Sequence, residues 1–205
     1  MERFLMTQSL LSAWAYTFDC FEGCEDDAQA EFLRTLRREP GETTEAMLNG
    51  RTFEDRVYSA AEGKTIRSDA KWRTGALAIA DIIRGAQIQV KASREITVDG
   101  MKFLVFGILD ALKAGVIYDV KFMSKSMNSA DIYGKYLESA QHPAYFYLVP
   151  EATEFKYLVS DGDDIYIETY RREDTRPISD FIHEFIASIK QQGLMDVYKE
   201  HWRAL

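Results

Sequence analysis

The chain has 205 residues, 46% of them hydrophobic and 13% aromatic. That is enough to close one sizeable core and too little for two ordinary domains, so residues 1–205 are read as a single domain. With 28% charged residues, 12 glycines and 4 prolines the composition excludes a disordered or fibrous chain, while a formal net charge of −8 weighs against a protein that grips nucleic acid through a generally basic surface.

The amino-terminal stretch from Met1 to Tyr16 is apolar in flavour, but Glu2 spoils a basic start and Thr7 and Gln8 interrupt the run. It reads as a core helix and not as a signal peptide. No run of about 18 apolar residues exists to span a membrane, and two cysteines without an export signal place the expectation in the cytoplasm. Helical spacing of apolar residues covers 9–18 and 28–38, the second ending at Pro40-Gly41. Thr43 or Thr44 can cap a third helix reaching about Gly63, and a fourth covers 71–84. From Gln87 to Met123 the residues become β-branched and aromatic, with turn signals at Asp99-Gly100 and Ala114-Gly115, which predicts three strands joined by two tight hairpins. Asn128 and Ser129 are cap candidates for a helix ending near Ser139, followed by an aromatic run from Pro143 to Pro150. Strands over 154–159 and 164–170 flank the turn at Asp161-Gly162-Asp163, and a last helix follows Pro177, reaches Lys190 and is stopped by Gly193. This order predicts an α/β domain with a central mixed sheet flanked by helices.

The strand 116–123 carries the first chemical signal. Alternation puts Ile117, Asp119, Lys121 and Met123 on one face, so a carboxylate and an ammonium project together, roughly 6 to 7 Å apart along the strand. The preceding strand, 102–112, is almost continuously apolar yet contains Asp110, a charge that is costly to bury alone. If Ala114-Gly115 is a two-residue loop, Lys113 opposes Val116, Leu112 opposes Ile117, and by the same count Asp110 opposes Asp119. Two acids that close repel unless a proton or cation lies between them, and magnesium suits one or two carboxylates with water and phosphate as its other ligands. On the third helix Met47, Arg51, Glu54, Tyr58 and Ala61 share a stripe, turning Glu54 away from open water. Singly each group has an ordinary alternative: Asp-x-Lys arises often by chance, Asp110 can mark a strand end, and Glu54 can pair with Arg51 or Arg56.

Together, Gly107-Ile108-Leu109-Asp110, Asp119-Val120-Lys121 and Gln141-His142-Pro143-Ala144-Tyr145 resemble the GxxD, DxK and QxxxY series of the RecB-type branch of the PD-(D/E)XK nuclease superfamily. Glu54 matches that family's upstream helical glutamate, and the helix beginning Gln8-Ser9-Leu10-Leu11 and ending near Cys20 is also similar, so the resemblance covers about residues 7 to 150. In style the chain also resembles small phage or prophage exonucleases. The resemblance implies a restriction-endonuclease-like core. It implies that Glu54, Asp110, Asp119 and the Val120 carbonyl hold one or two magnesium ions, with manganese able to substitute, and that the metal acts as Lewis acid and template. By the same resemblance Lys121 orients or activates the attacking water, Gln141 and Tyr145 position the scissile strand, and DNA is the substrate. A ring of subunits or a phage recombination partner would help an acidic enzyme stay on DNA. A non-catalytic binding or assembly module of the same fold, and an endonuclease, remain as alternatives.

Two departures stand out. Pro143 inside the QxxxY pattern would clash in a helix interior, so either a helix restarts there or Gln141 is displaced. Cys20 and Cys24 stand alone, too few for the iron-sulfur cluster of some relatives or, with His142, His183 and His201 scattered, for a structural zinc site. His183-Glu184 lacks the second histidine of a zinc protease helix, and the Asp161–Asp164 run lacks calcium-loop spacing. Arg34, Arg37, Arg38, Lys125 and Lys135 offer a phosphate track or simply a solvated face; Trp72, Tyr133 and Tyr136 offer base stacking or core packing.

Overall fold

A computed structural model describes residues 2–124 and 132–204. The chain begins with a strand, β1 (Arg3–Thr7), in which Phe4 and Met6 are buried by alternation. This corrects the reading of Met1–Tyr16 as helix: Thr7 is both the last strand residue and the cap of α1 (Gln8–Asp19), its side chain accepting from the Leu10 amide. With no turn residue between strand and helix, nothing local in the sequence separates them. Helix α2 (Glu25–Leu36) follows, then α3 (Glu45–Ala61), capped by Thr44 through the Met47 amide, and α4 (Arg73–Ile83).

The strands β2 (Gln87–Val98), β3 (Met101–Lys113) and β4 (Val116–Phe122) form the two expected hairpins. Both turns need two consecutive residues at positive φ. Asp99 and Gly100 adopt 51° and 75°, Ala114 and Gly115 49° and 78°, the geometry whose twist matches antiparallel strands. Beyond β4 the cap candidates Asn128 and Ser129 lie outside the described residues, and 133–138 form turns where the sequence predicts helix. Helix α5 (Gln141–Leu148) places Pro143 third, in the first turn, where a missing N–H leaves no bond unmade and no carbonyl lies four residues back inside the helix. Arg172 closes the other end of α5 by donating to the carbonyls of Phe146 and Val149. The chain ends with β5 (Glu154–Ser160), β6 (Ile165–Arg171), α6 (Ile178–Gln191) and α7 (Met195–His201), the last of these absent from the sequence reading.

The six strands make one mixed sheet in the order β1-β3-β4-β5-β6, with β2 also on β3; β1 is parallel to β3 and β4 parallel to β5, the other pairs antiparallel. One face is covered by α1, α2, α5, α6 and α7, through side chains such as Leu10, Phe32, Tyr145, Phe185 and Tyr198 packed on Phe103, Val105, Phe155 and Tyr157. The other is covered by α3 and α4, with Phe53, Val57, Ile79 and Ile83 on Ala111, Val120 and Leu158. This is a mixed α/β architecture with a restriction-endonuclease-like core. Among the described residues no helix is long and apolar enough to cross a membrane.

Candidate active site

The site grows out of an unusual feature of β3. One of its edges is paired with β2, but the other is shared, by β1 along Lys102 to Phe106 and by β4 along Ala111 to Lys113. Among the described residues, 107–110 therefore have no strand neighbour on that side. The hairpin also bends there. The β2–β3 ladder skips Gln89 and Asp110, Gln89 takes φ 54°, and the apolar side chains change core at that point: Val90 and Leu109 join one cluster, Ile88 and Ala111 the other.

Asp110 sits at this break. The expected register holds for Lys113 opposite Val116 and Leu112 opposite Ile117, and the ladder ends at Ala111 opposite Tyr118. Where a backbone pair would come next, the Asp110 carboxylate takes over: its Oδ2 accepts from the Val120 amide at 2.8 Å, and its Oδ1 lies 3.4 Å from the Gln89 Nε2 donor. The amide and carbonyl of one strand residue point the same way, so the Val120 carbonyl faces the same gap as its N–H.

Asp119, 2% exposed, is held by Gln141, whose Nε2 donates to Oδ1 at 2.5 Å, and by Lys121, whose Nζ lies 2.7 Å from Oδ2. The Lys121 ammonium engages only one side of Oδ2, so that oxygen retains acceptor capacity. Burial alone would depress the Lys121 ammonium, but Asp119 and then Asp110 hold it well above its usual range, so it stays charged. Burial and then Asp119 push the Asp110 carboxyl up to about 7. Glu54 on α3 is half-buried; desolvation raises its pKa, with Lys121 opposing and Asp119 adding to the shift, which places it in the field of the same pair.

The structure thus brings Asp110, Asp119 and Lys121 together, and the charges of Lys121 and Asp119 act on Glu54. Among the described residues, however, no three acidic, histidine or cysteine side chains are gathered closely enough to hold a metal ion by themselves. The donor chemistry nonetheless fits a hard divalent cation: two repelling carboxylates, a free lone pair on one of them and a backbone carbonyl line one gap.

Gln141 and Tyr145 are both committed to the protein. Gln141 binds Asp119, while the Tyr145 hydroxyl donates to the Ile108 carbonyl at 2.9 Å and its ring lies where a Gly107 side chain would be, 2.6 Å from the position of a Cβ. The glycine of Gly107-Ile108-Leu109-Asp110 thus admits α5 against the open edge of β3. A cavity of about 270 Å³ beside it is lined by Gln8, Ser9, Gly107, Ile108 and Tyr145; a larger one, between α1, α6 and residues 135–140, lies apart from the acids. Sequence reasoning missed Gln89, whose role depends on the bend. It also left the aromatics undecided: Trp72 packs on Phe122 with ring centroids 4.5 Å apart, and Tyr136 stacks on Tyr157 at 4.1 Å beside the acid-lysine pair. Arg34 is paired with Glu31, Arg38 lies over Trp202, and Lys125 is outside the described residues.

An acid whose folded pKa of about 7 exceeds its unfolded value of about 4 binds protons more tightly when folded, so it costs stability progressively as pH rises between those values. Asp110→Asn should therefore melt higher than the unaltered chain in chelator at about pH 8, with a smaller advantage at about pH 5. Thermal unfolding at both pH values checks it, and an advantage that shrinks with pH contradicts it.

No protein-family model matches the chain, and no curated protein matches it. Among solved structures it is similar to SSO0001, with a TM-score of 0.55 at 14% identity over 94% of this chain and 78% of that one. It also aligns with LHK-Exo in complex with dAMP (TM-score 0.42, 14% identity, 91% of this chain and 90% of that one). A third is Rai1 of Scheffersomyces stipitis (TM-score 0.40, 11% identity, 92% of this chain and 61% of that one). The likeness to SSO0001 is a likeness of fold, in keeping with a mixed sheet enclosed by helices on both faces.

Proposed function

We propose that the chain is a magnesium-dependent deoxyribonuclease, acting as an exonuclease in phage-type recombination or DNA end processing. The observation that supports it is the convergence of Asp110, Asp119 and Lys121 on a gap in the sheet, where two acids repel across a buried space and a charged amine stands beside them. A fold alone would not need that arrangement, because burying unbalanced carboxylates costs stability. The resemblance of the GxxD, DxK and QxxxY segments to the RecB-type nucleases supports the same reading.

Asp110 and Asp119, with the Val120 carbonyl, would hold the ion, and Glu54 would reach it across the gap. When bound, magnesium, or manganese in its place, supplies Lewis-acid polarisation of the phosphate and a water of lowered pKa. Lys121, kept as an ammonium, serves as a donor and not as a base: it orients the attacking water and offsets negative charge as the phosphorus–oxygen bond breaks. Gln141 fixes the Asp119 carboxylate so that Oδ2 faces the gap. Tyr145, bonded to the Ile108 carbonyl, holds α5 on the β3 edge, beside which the scissile strand would be positioned.

A binding module of the same fold is favoured by one observation, the closed Lys121–Asp119–Gln141 network, which is also what a purely structural polar cluster looks like. End-labelled linear DNA compared with closed circular DNA, with magnesium and with chelator, decides between them. The exonuclease reading expects magnesium-dependent loss of linear DNA with circular DNA intact. Cleavage of both makes the chain an endonuclease, and no magnesium-dependent cleavage of any nucleic acid supports the binding module.

A further inference from the structure

Tyr58 lies four residues after Glu54 on α3, so the two side chains lie one above the other on the same helix face. Its ring packs against the apolar cluster of Phe53, Val57, Ile79 and Ala111. Its hydroxyl is buried and makes no well-formed hydrogen bond. Phenylalanine would fill the same space without an unsatisfied oxygen, and an unpaired buried hydroxyl is a cost that a purely structural residue has no reason to carry.

What surrounds the hydroxyl indicates its use. The charges acting on it are, in order, Asp110, Glu54 and Asp119, and the Gln89 amide stands beside it; burial first, then those three acids, push the phenol far above its usual range. It is therefore a neutral donor surrounded by acceptors. Gln89 links it to the site on the other side, since the same amide lies 3.4 Å from Asp110 Oδ1 and is aimed by a backbone held at φ 54°, a conformation that costs a non-glycine residue energy. Among the described residues no three acids are gathered around a common point, and a cation seated between Asp110 and Asp119 would draw the neighbouring carboxylates toward it.

We propose that Tyr58 is a positioning residue for the acidic site: its hydroxyl, which has only the Gln89 amide beside it in the cation-free protein, donates to the Asp110–Glu54 cluster when a divalent cation draws those carboxylates together. This rests on the proposed magnesium site and adds to it a donor outside the ion's own ligands. Gln89 restrains Asp110 from the β2 side and so shares the task.

The test is a magnesium titration of the unaltered chain and of Tyr58→Phe, followed by thermal unfolding and by cleavage rate. Without metal, Tyr58→Phe should melt at the same temperature or about 2 °C higher, because it loses a poorly satisfied buried hydroxyl and no well-formed hydrogen bond. Its half-saturating magnesium concentration should rise about tenfold, the scale on which partners of metal ligands act, and by more than the rate at saturation falls. Gln89→Gly, which keeps the positive φ at no strain and removes the amide, should shift the titration in the same direction. A lower melting temperature for Tyr58→Phe with an unchanged titration would make the tyrosine structural and overturn the inference while leaving the metal site standing. A flat titration in the unaltered chain overturns the metal site itself, and the inference with it.

Discussion

Asp119→Asn is expected to lower magnesium-dependent cleavage by about 10²- to 10³-fold, the scale on which one preorganised electrostatic group contributes. The asparagine keeps the shape of the side chain and an oxygen for the Gln141 amide, so α5 stays in place. Two electrostatic changes oppose one another in the cation-free protein: Lys121 loses its closest partner, and Asp110 loses the neighbouring acid that adds to its raised pKa. Because Lys121 is one-third exposed, its loss is partly screened. The melting temperature in chelator should consequently move by only a few degrees, about 2–4 °C, while activity disappears. A residual rate within about tenfold of the unaltered chain would remove Asp119 from the reaction.

Lys121→Ala should separate cation binding from chemistry. The ammonium occupies the side of Asp119 that an incoming cation needs, at 2.7 Å from Oδ2. Removing it should leave magnesium affinity equal or tighter, because one competitor for the carboxylate is gone and the local charge becomes more negative. Cleavage should still fall by about 10²- to 10³-fold, since no other positive group among the described residues is paired with Asp119 to orient water or offset charge on the phosphate. Calorimetric magnesium binding and rates at saturating magnesium, measured on the same preparation, check the split. Weaker binding with a full rate at saturation would make Lys121 a structural counter-ion.

Much of this site was legible because strand periodicity and hairpin turns constrain it tightly. Asp99-Gly100 and Ala114-Gly115 are turn pairs of the positive-φ kind, and counting outward from Ala114-Gly115 brings Asp110 level with Asp119. What the count cannot show is that the ladder ends one pair earlier, at Ala111 and Tyr118, because a side-chain oxygen outcompetes the backbone for the Val120 amide. Gln141 is similar: its pattern was visible, but its amide satisfies Asp119, a contact set by where α5 docks and not by any neighbouring residue. The doubt over Pro143 dissolves for a local reason, since the helix starts two residues before it. β1 and α7 escaped notice because each depends on distant partners: Leu5 donates to the Trp202 carbonyl, and the Trp202 indole donates to Leu36. Trp72 shows the opposite case, where an aromatic open to a base-stacking reading is claimed by Phe122 in the core.

The gap between β3 and β4 is expected to hold a divalent cation between Asp110 and Asp119. Calorimetric titration of magnesium into the unaltered chain and into the Asp110→Asn, Asp119→Asn double variant tests it most directly. Saturable binding is expected in the first and loss of at least that ion in the second. Equal binding by both proteins would contradict it.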